Sequence, residues 1–241
     1  MKVTLSKELL LNGLRLVGNV VTSRTPMPVL NNILLETDGD ALCLYATDLE
    51  VSIRSKLPAA VSIPGRTTLP ARKIIQIVGA LASGDVVLET DDKQATSVSC
   101  GRSFFKIVGL DPNQFPQDSA FSEDWSFCMP AVDFRKTLSK VSYSTSEDET
   151  RHILNGILLN LRDSLLTVAA TDGRRLALVE RALDSGDTPD GDVILPEKVV
   201  VELGRMLEGD GEVVIRLSDS RAAFEFGGTV LTSKLVEGTY P

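Results

Sequence analysis

The chain writes one phrase twice, and that repetition limits its fold more than any other feature. Asn32-Ile33-Leu34-Leu35 leads through the polar turn Thr37-Asp38-Gly39-Asp40 and the apolar run Leu42-Cys43-Leu44-Tyr45 to Ala46-Thr47-Asp48. Asn155-Gly156-Ile157-Leu158-Leu159 leads through Arg162-Asp163-Ser164 and Leu165-Leu166-Thr167-Val168 to Ala170-Thr171-Asp172. Thr47-Asp48 thus returns 124 positions later as Thr171-Asp172. Further along, Thr67-Thr68-Leu69-Pro70 is matched by Val193-Ile194-Leu195-Pro196, and Phe115-Pro116 by Tyr240-Pro241. A self-match at fixed spacing implies a repeated structural unit.

Each copy reads the same way. Residues 6–21 have helical spacing at Leu10, Leu14, Val17 and Val21, with Ser6 as N-cap and Glu8 in the first turn. The repeated phrase is a hairpin, with Asp38-Gly39 supplying a positive-φ turn. Leu49 to Leu57 alternates as a third strand. After Pro70, Ile74, Ile77, Val78 and Leu81 mark a second helix. Strands are predicted at 86–90, 95–100 and 103–108. Gln117 to Asp124 reads as a linker. The second copy follows with a strand near Trp125–Met129, a helix with Phe134, Leu138 and Val141 inward, and the polar loop Ser142–Thr150 before its hairpin. Its second helix buries Val200, Leu203 and Leu207, and strands are predicted at 212–217, 222–226 and 229–235. The expectation is α+β: two tandem units, 1–120 and 121–241, with helices on one face of antiparallel sheets. Strand edges left open would invite pairing with other edges.

Charge separates the helices from everything else. The 241 residues carry a formal net charge of −8, which as a whole repels nucleic acid. The four helical segments run the other way, with ten basic residues against five acidic ones, so the remainder nets −13. Lys7, Arg15, Arg72, Lys73, Arg135, Lys136, Lys140, Lys198 and Arg205 are among those basics. If the helices share a face, that face attracts a phosphate backbone. No aromatics are interleaved with them, so duplex backbone contact fits better than base stacking.

Catalytic constellations are missing from the pattern. The one histidine, His152, sits in a polar loop without a nucleophile motif. Asp48 and Asp172 occupy the same place in both copies, which reads as backbone hydrogen bonding at a turn rather than acid–base chemistry. There is no Walker loop and no dinucleotide glycine fingerprint. Cys43, Cys100 and Cys128 are odd in number, widely spaced and suited to a reduced cytoplasmic protein, not to a metal. No apolar run is long enough for a membrane span. No cofactor is expected.

The copies diverge after the shared Thr-Asp. The first continues Leu49-Glu50-Val51 and the second Gly173-Arg174-Arg175-Leu176. A turn glycine with exposed basics is one reading of the second; a recognition surface beside Leu154 and Leu176 is the other.

These residues resemble a known family. Ser23-Arg24-Thr25-Pro26-Met27-Pro28-Val29-Leu30, Thr47-Asp48-Leu49-Glu50, Leu69-Pro70-Ala71-Arg72-Lys73 and Gly101-Arg102-Ser103 are similar to the first domain of bacterial sliding clamps, the β subunits of DNA polymerase III. Leu154-Asn155-Gly156, Ala170-Thr171-Asp172-Gly173-Arg174-Arg175-Leu176-Ala177, Arg205-Met206-Leu207 and Thr232-Ser233-Lys234-Leu235-Val236-Glu237-Gly238 resemble the second. The resemblance implies a processivity factor without covalent chemistry. Its homodimer of three-domain chains rings duplex DNA and docks the polymerase III catalytic subunit, the clamp loader and other partners by short peptides. It implies DNA contact through Arg24, Arg72, Lys198 and Arg205, beside the basic Arg135, Lys136 and Lys140 of the third helix. It implies a peptide pocket at Leu154, Thr171, Gly173, Arg174, Arg175, Leu176 and Pro241. It implies a dimer contact at Lys73, Arg102, Phe105 and Ile107, with Phe104 where a basic residue is common. Arg174 stands where family members often have histidine, and the loop 148–153 lacks their tyrosines. Three domains are the family pattern and this chain ends after two, so it is not expected to close the usual ring by itself. The alternatives are a two-domain protein-binding scaffold that never encircles DNA and, less in keeping with the residues, a small-molecule enzyme.

Overall fold

The computed structural model describes residues 1–22, 25–116, 124–183 and 190–241. The chain divides into two compact units, Met1–Ser119 and Ala120–Pro241.

Unit 1 is a βαβββ motif used twice, with one added strand. Its first half holds β1 (Lys2–Ser6), α1 (Lys7–Gly18), β2 (Asn32–Asp38), β3 (Ala41–Thr47) and β4 (Val51–Pro58). The extra strand is β5 (Ala60–Ile63). The second half holds β6 (Arg66–Pro70), α2 (Ala71–Ala80), β7 (Asp85–Thr90), β8 (Ala95–Cys100) and β9 (Ser103–Val108). The strand before each helix joins the other half's sheet. β6 pairs with β2, which continues to β3 and β4, while β1 pairs with β7, followed by β8 and β9. Every pairing is antiparallel. Exchange of the first strands ties the halves together, so neither can unfold without breaking a ladder of the other.

Unit 2 repeats the plan with β10 (Trp125–Pro130), α3 (Ala131–Val141), β11 (Gly156–Arg162), β12 (Leu165–Thr171), β13 (Leu176–Ala182), β14 (Gly191–Pro196), α4 (Glu197–Met206), β15 (Glu212–Leu217), β16 (Arg221–Phe226) and β17 (Thr229–Lys234). β14 joins β11, β12 and β13; β10 joins β15, β16 and β17.

Local chemistry accounts for the helices. Ser6 caps α1, its hydroxyl accepting from Leu9 N at 3.4 Å. The stripe Leu10, Leu14 and Val17 is fully buried, but α1 ends at Gly18. Beyond that end Val20, not Val21, is the buried residue. α2, α3 and α4 each begin after a proline, which needs no N–H partner at that place. Phe134 of α3 stacks on Phe224 of β16 with ring centroids 5.9 Å apart, both wholly buried. α1 and α2 pack closely: a Cβ on Gly18 would lie 2.8 Å from Ile75 Cδ1. Two strands had no counterpart in the sequence reading: β1, before the first helix, and β5 at Ala60–Ile63. The loop after α3 is less open than its polarity suggested, since Ser144, Thr145 and Ser146 are buried. The predicted linker at residues 117–123 lies outside the described residues.

Candidate nucleic-acid interface and partner pocket

Burial of one stripe on each helix leaves the opposite stripe to solvent. On α2 that stripe carries Arg72 and Lys73 in the first turn, with no acid beside them. The positive end of the helix dipole lies there too, so charge and dipole act together on an anion. On α3 the exposed residues include Arg135, Lys136 and Lys140; on α4, Lys198 and Arg205. α1 exposes Arg15, while Lys7 Nζ donates to Leu81 O and is spent on capping the end of α2.

Arg135 and Arg205 are held in ion pairs. Arg135 Nη2 lies 3.3 Å from Glu208 Oε1, an exposed pair worth at most about 1 kcal/mol and easily exchanged. Arg205 Nη1 lies 2.6 Å from Glu202 Oε1. That second pair is of another kind, because the Glu202 side chain is only 6% exposed and its Oε2 has no partner among the described residues. Taking Arg205 away would strand a buried carboxylate. Lys136 and Lys140, one turn apart, have no carboxylate partner among the described residues and are free to meet phosphate. Arg24 lies outside the described residues.

The diverged turn after β12 is built from backbone hydrogen bonds. Asp172 Oδ1 accepts from Arg174 N at 2.9 Å and Arg175 N at 3.0 Å. Thr171 Oγ1 donates to Arg175 O at 2.7 Å and accepts from Gly173 N at 3.1 Å. These amides, and the Arg175 side chain after them, hold the Asp172 carboxyl below the usual aspartate range. Gly173 takes φ +85. Arg174, Arg175 and Leu176 are exposed, Leu176 at 64%. Arg175 Nε bonds Asp172 Oδ2 at 3.0 Å, and its guanidinium lies 5.8 Å from the Tyr143 ring centre.

Beside this turn is a recess of about 360 Å³ lined by Arg151, His152, Ile153, Leu154, Thr239 and Pro241 among others. Two residues join turn and recess. Arg151 donates to Asp172 O at 3.0 Å, to Asp148 Oδ2 at 2.9 Å and to Ser146 Oγ at 3.3 Å. Tyr240 Oη accepts from Thr171 N at 2.9 Å and donates to Gly156 O at 3.4 Å; burial pushes its hydroxyl pKa up. Of the predicted set, Leu154 and Pro241 line the recess, while Thr171, Gly173, Arg174, Arg175 and Leu176 form the turn that Arg151 and Tyr240 tie to it. Arg151 and Tyr240 were missed as its supports. Tyr240 left a trace in the repeat, where it stands opposite Phe115; Arg151 left none.

The third predicted set is split. β9 is an edge strand of its sheet, and Phe105 is 40% exposed, Phe104 67% and Val108 68%. Lys73 and Arg102 are exposed. Ile107 shares its sheet face with Phe105, two residues away, but is covered there and only 5% exposed, so it is not open surface.

Comparison with known proteins places the chain. A family model for the DNA polymerase III beta subunit N-terminal domain matches residues 1–119, and one for its central domain matches 129–241. The beta sliding clamp of Caulobacter vibrioides is 35% identical over 248 residues, covering all of this chain and 67% of that protein. That of Chlamydia muridarum is 32% identical over 241 residues, covering all of this chain and 66% of that protein. The crystal structure of the Pseudomonas aeruginosa DNA polymerase III subunit beta matches with a TM-score of 0.95 at 34% identity, over 100% of this chain and 66% of that one. The Bacillus subtilis sliding clamp gives 0.96 at 28% identity, again over 100% and 66%. The chain thus spans about two thirds of the length of these relatives, and 58% of a Chlamydia trachomatis clamp. No helix among the described residues is long and apolar enough to cross a membrane. The chain belongs to the bacterial β sliding clamp family, its two units corresponding to the N-terminal and central domains.

Proposed function

We propose that this chain supplies the first two domains, 1–120 and 121–241, of a cytoplasmic clamp that encircles duplex DNA and tethers the replicative polymerase. The charge division carries the reading. The helices α1 to α4 hold nine basic and four acidic residues, net +5, within a chain of net −8. Contact made only through phosphates is indifferent to sequence, and weak contact lets a ring slide. Arg72, Lys136, Lys140 and Lys198 make it, with Arg24 in company. Arg135 joins by leaving Glu208, while Arg205 stays with Glu202.

The rim Thr171–Leu176 and the recess at Leu154 and Pro241 dock peptides of the polymerase III catalytic subunit, the clamp loader and other partners. In the full-length homodimer, Lys73, Arg102 and Phe105 face the other chain, with Ile107 supporting them from inside. The chain has an accessory role; polymerisation belongs to its partners.

The test uses a fluorescent peptide from the polymerase catalytic subunit together with a labelled duplex. Leu176→Ala and Arg174→Ala together are expected to abolish peptide binding and leave duplex binding unchanged. Peptide binding that survives both substitutions would refute the pocket assignment.

A further inference from the structure

A second recess lies in unit 1, on the sheet face turned away from α1. Leu44 and Leu57 face that helix, since a Cβ on Gly13 would meet their Cδ1 atoms at 3.0 and 2.7 Å. Their neighbours Tyr45 and Arg54 stand opposite each other in the β3–β4 register and point to the other side. Leu34 opposes Tyr45, and Arg66 opposes Glu36, on that same side.

The segment 110–116 is fastened over this face. Thr68 Oγ1 accepts from Leu110 N at 3.0 Å and donates to Leu110 O at 2.8 Å. Asp111 Oδ1 accepts from Asn113 N at 2.9 Å and Nδ2 at 2.8 Å, which turns Asn113 Oδ1 toward Arg66 Nη2, 2.6 Å away. Phe115 meets Tyr45 edge-on at 5.5 Å, each 4% exposed. Between segment and sheet a space of about 260 Å³ remains, lined by Leu34, Tyr45, Arg54, Arg66, Pro112 and Phe115 among others.

Arg54 lies over the Tyr45 ring at 4.9 Å. That contact uses the face of the guanidinium and leaves its in-plane N–H donors. Arg66 gives one donor to Asn113 and keeps others. Neither arginine has a carboxylate partner among the described residues, although acids outnumber bases 33 to 25 in the chain. Two guanidinium groups thus line one recess beside buried aromatic walls, and their N–H donors suit a planar or tetrahedral oxyanion. Glu36 shares the rim and opposes it.

We propose that this recess binds a small anionic group, carboxylate or phosphate, between Arg54 and Arg66, with any apolar part of the ligand against Tyr45 and Phe115. The site is separate from the helix faces and from the partner pocket, so it stands or falls independently of the clamp function.

The test is NMR of the arginine Nε–Hε signals of the 241-residue chain, titrated with acetate or inorganic phosphate at constant ionic strength with chloride as filler. Saturable shifts of the Arg54 and Arg66 signals are expected. Arg54→Gln should weaken binding at least about tenfold, since it removes a charged fork. Glu36→Gln should tighten it several-fold. An unchanged amide spectrum away from the recess shows that each variant is folded, and Arg66→Gln serves if Arg54→Gln is not. Saturation with acetate alone assigns the site to carboxylates, as on acidic side chains; saturation with phosphate alone assigns it to phosphate groups. Shifts that rise linearly with both anions, or that persist equally in the arginine variants, would overturn the proposal.

Discussion

The turns after β3 and β12 share one hydrogen-bond skeleton and present different surfaces. In the first, Asp48 Oδ1 accepts from Glu50 N at 3.0 Å and Val51 N at 2.8 Å, and Thr47 Oγ1 donates to Val51 O at 3.0 Å. In the second, Asp172 and Thr171 do the same for Arg174, Arg175 and Gly173. The shared Thr-Asp is thus scaffold. The left-handed position differs: Leu49 holds it at φ 78 with its side chain 48% exposed, and Gly173 holds it at φ 85. A Cβ on Gly173 would lie 3.4 Å from Arg151 Nη1, the group that ties the second turn to the recess. That is an ordinary contact distance, so it is the left-handed backbone, not crowding, that favours glycine at this position.

The start of the hairpin separates the copies most sharply. Asn32 spans to Thr68 Oγ1 at 3.0 Å, whereas its counterpart Gly156 has no room: a Cβ would sit 2.6 Å from Leu195 O and 2.7 Å from Ile194 Cγ2. Gly156→Ala is expected to destabilise unit 2 by about 3 kcal/mol, since backbone must move. Asn32→Ala should cost unit 1 about 1 kcal/mol. Urea unfolding followed by fluorescence of the single tryptophan, Trp125 in unit 2, reads the first; hydrogen exchange of β2 amides reads the second. Equal losses would mean that both hairpins are packed alike at their first residue.

Exchange at the left-handed position comes next. Gly173→Ala should destabilise by about 1 kcal/mol, from the penalty on a side chain in that conformation. Leu49→Gly should stabilise by roughly 0.5 kcal/mol, the relieved strain exceeding the added freedom of the unfolded chain. The same sign for both would break the equivalence of the turns.

Acid gives a smaller effect. Because the Asp172 carboxyl titrates below its unfolded value, its contribution is complete above the ordinary aspartate range and is lost as pH falls through the lowered folded value. The Arg174 and Arg175 amide signals should move together in that acidic window. Movement near neutrality would contradict the hydrogen-bond account. The least effect is expected from Arg135→Gln, within about 0.5 kcal/mol by urea unfolding, because the Glu208 pair is exposed.

Periodicity made most of this fold readable, and it failed where periodicity carries little. The helix stripes and the run from β7 to β9 follow apolar spacing. β1 has only five residues and was assigned no element; β5 is largely exposed and has no apolar face to announce it. The diverged turn Gly173–Leu176 was legible because the copies differ there. Its supports were not, since Arg151 and Tyr240 act through contacts 21 and 69 residues distant. Glu202 and Arg205 stand three apart in the sequence, but burial of Glu202 is a tertiary fact that spacing does not show, and it is what commits Arg205 to an ion pair.

The division between Lys136 and Lys140, unpaired among the described residues, and the committed Arg205 is read out by the salt dependence of duplex binding. The logarithm of affinity should fall linearly with the logarithm of salt concentration, equally for unrelated sequences. Lys136→Gln and Lys140→Gln should each flatten that slope by about 0.9, whereas Arg205→Gln should leave it unchanged and lower stability instead. A slope insensitive to both lysines, or one flattened by Arg205→Gln with stability intact, would contradict the account.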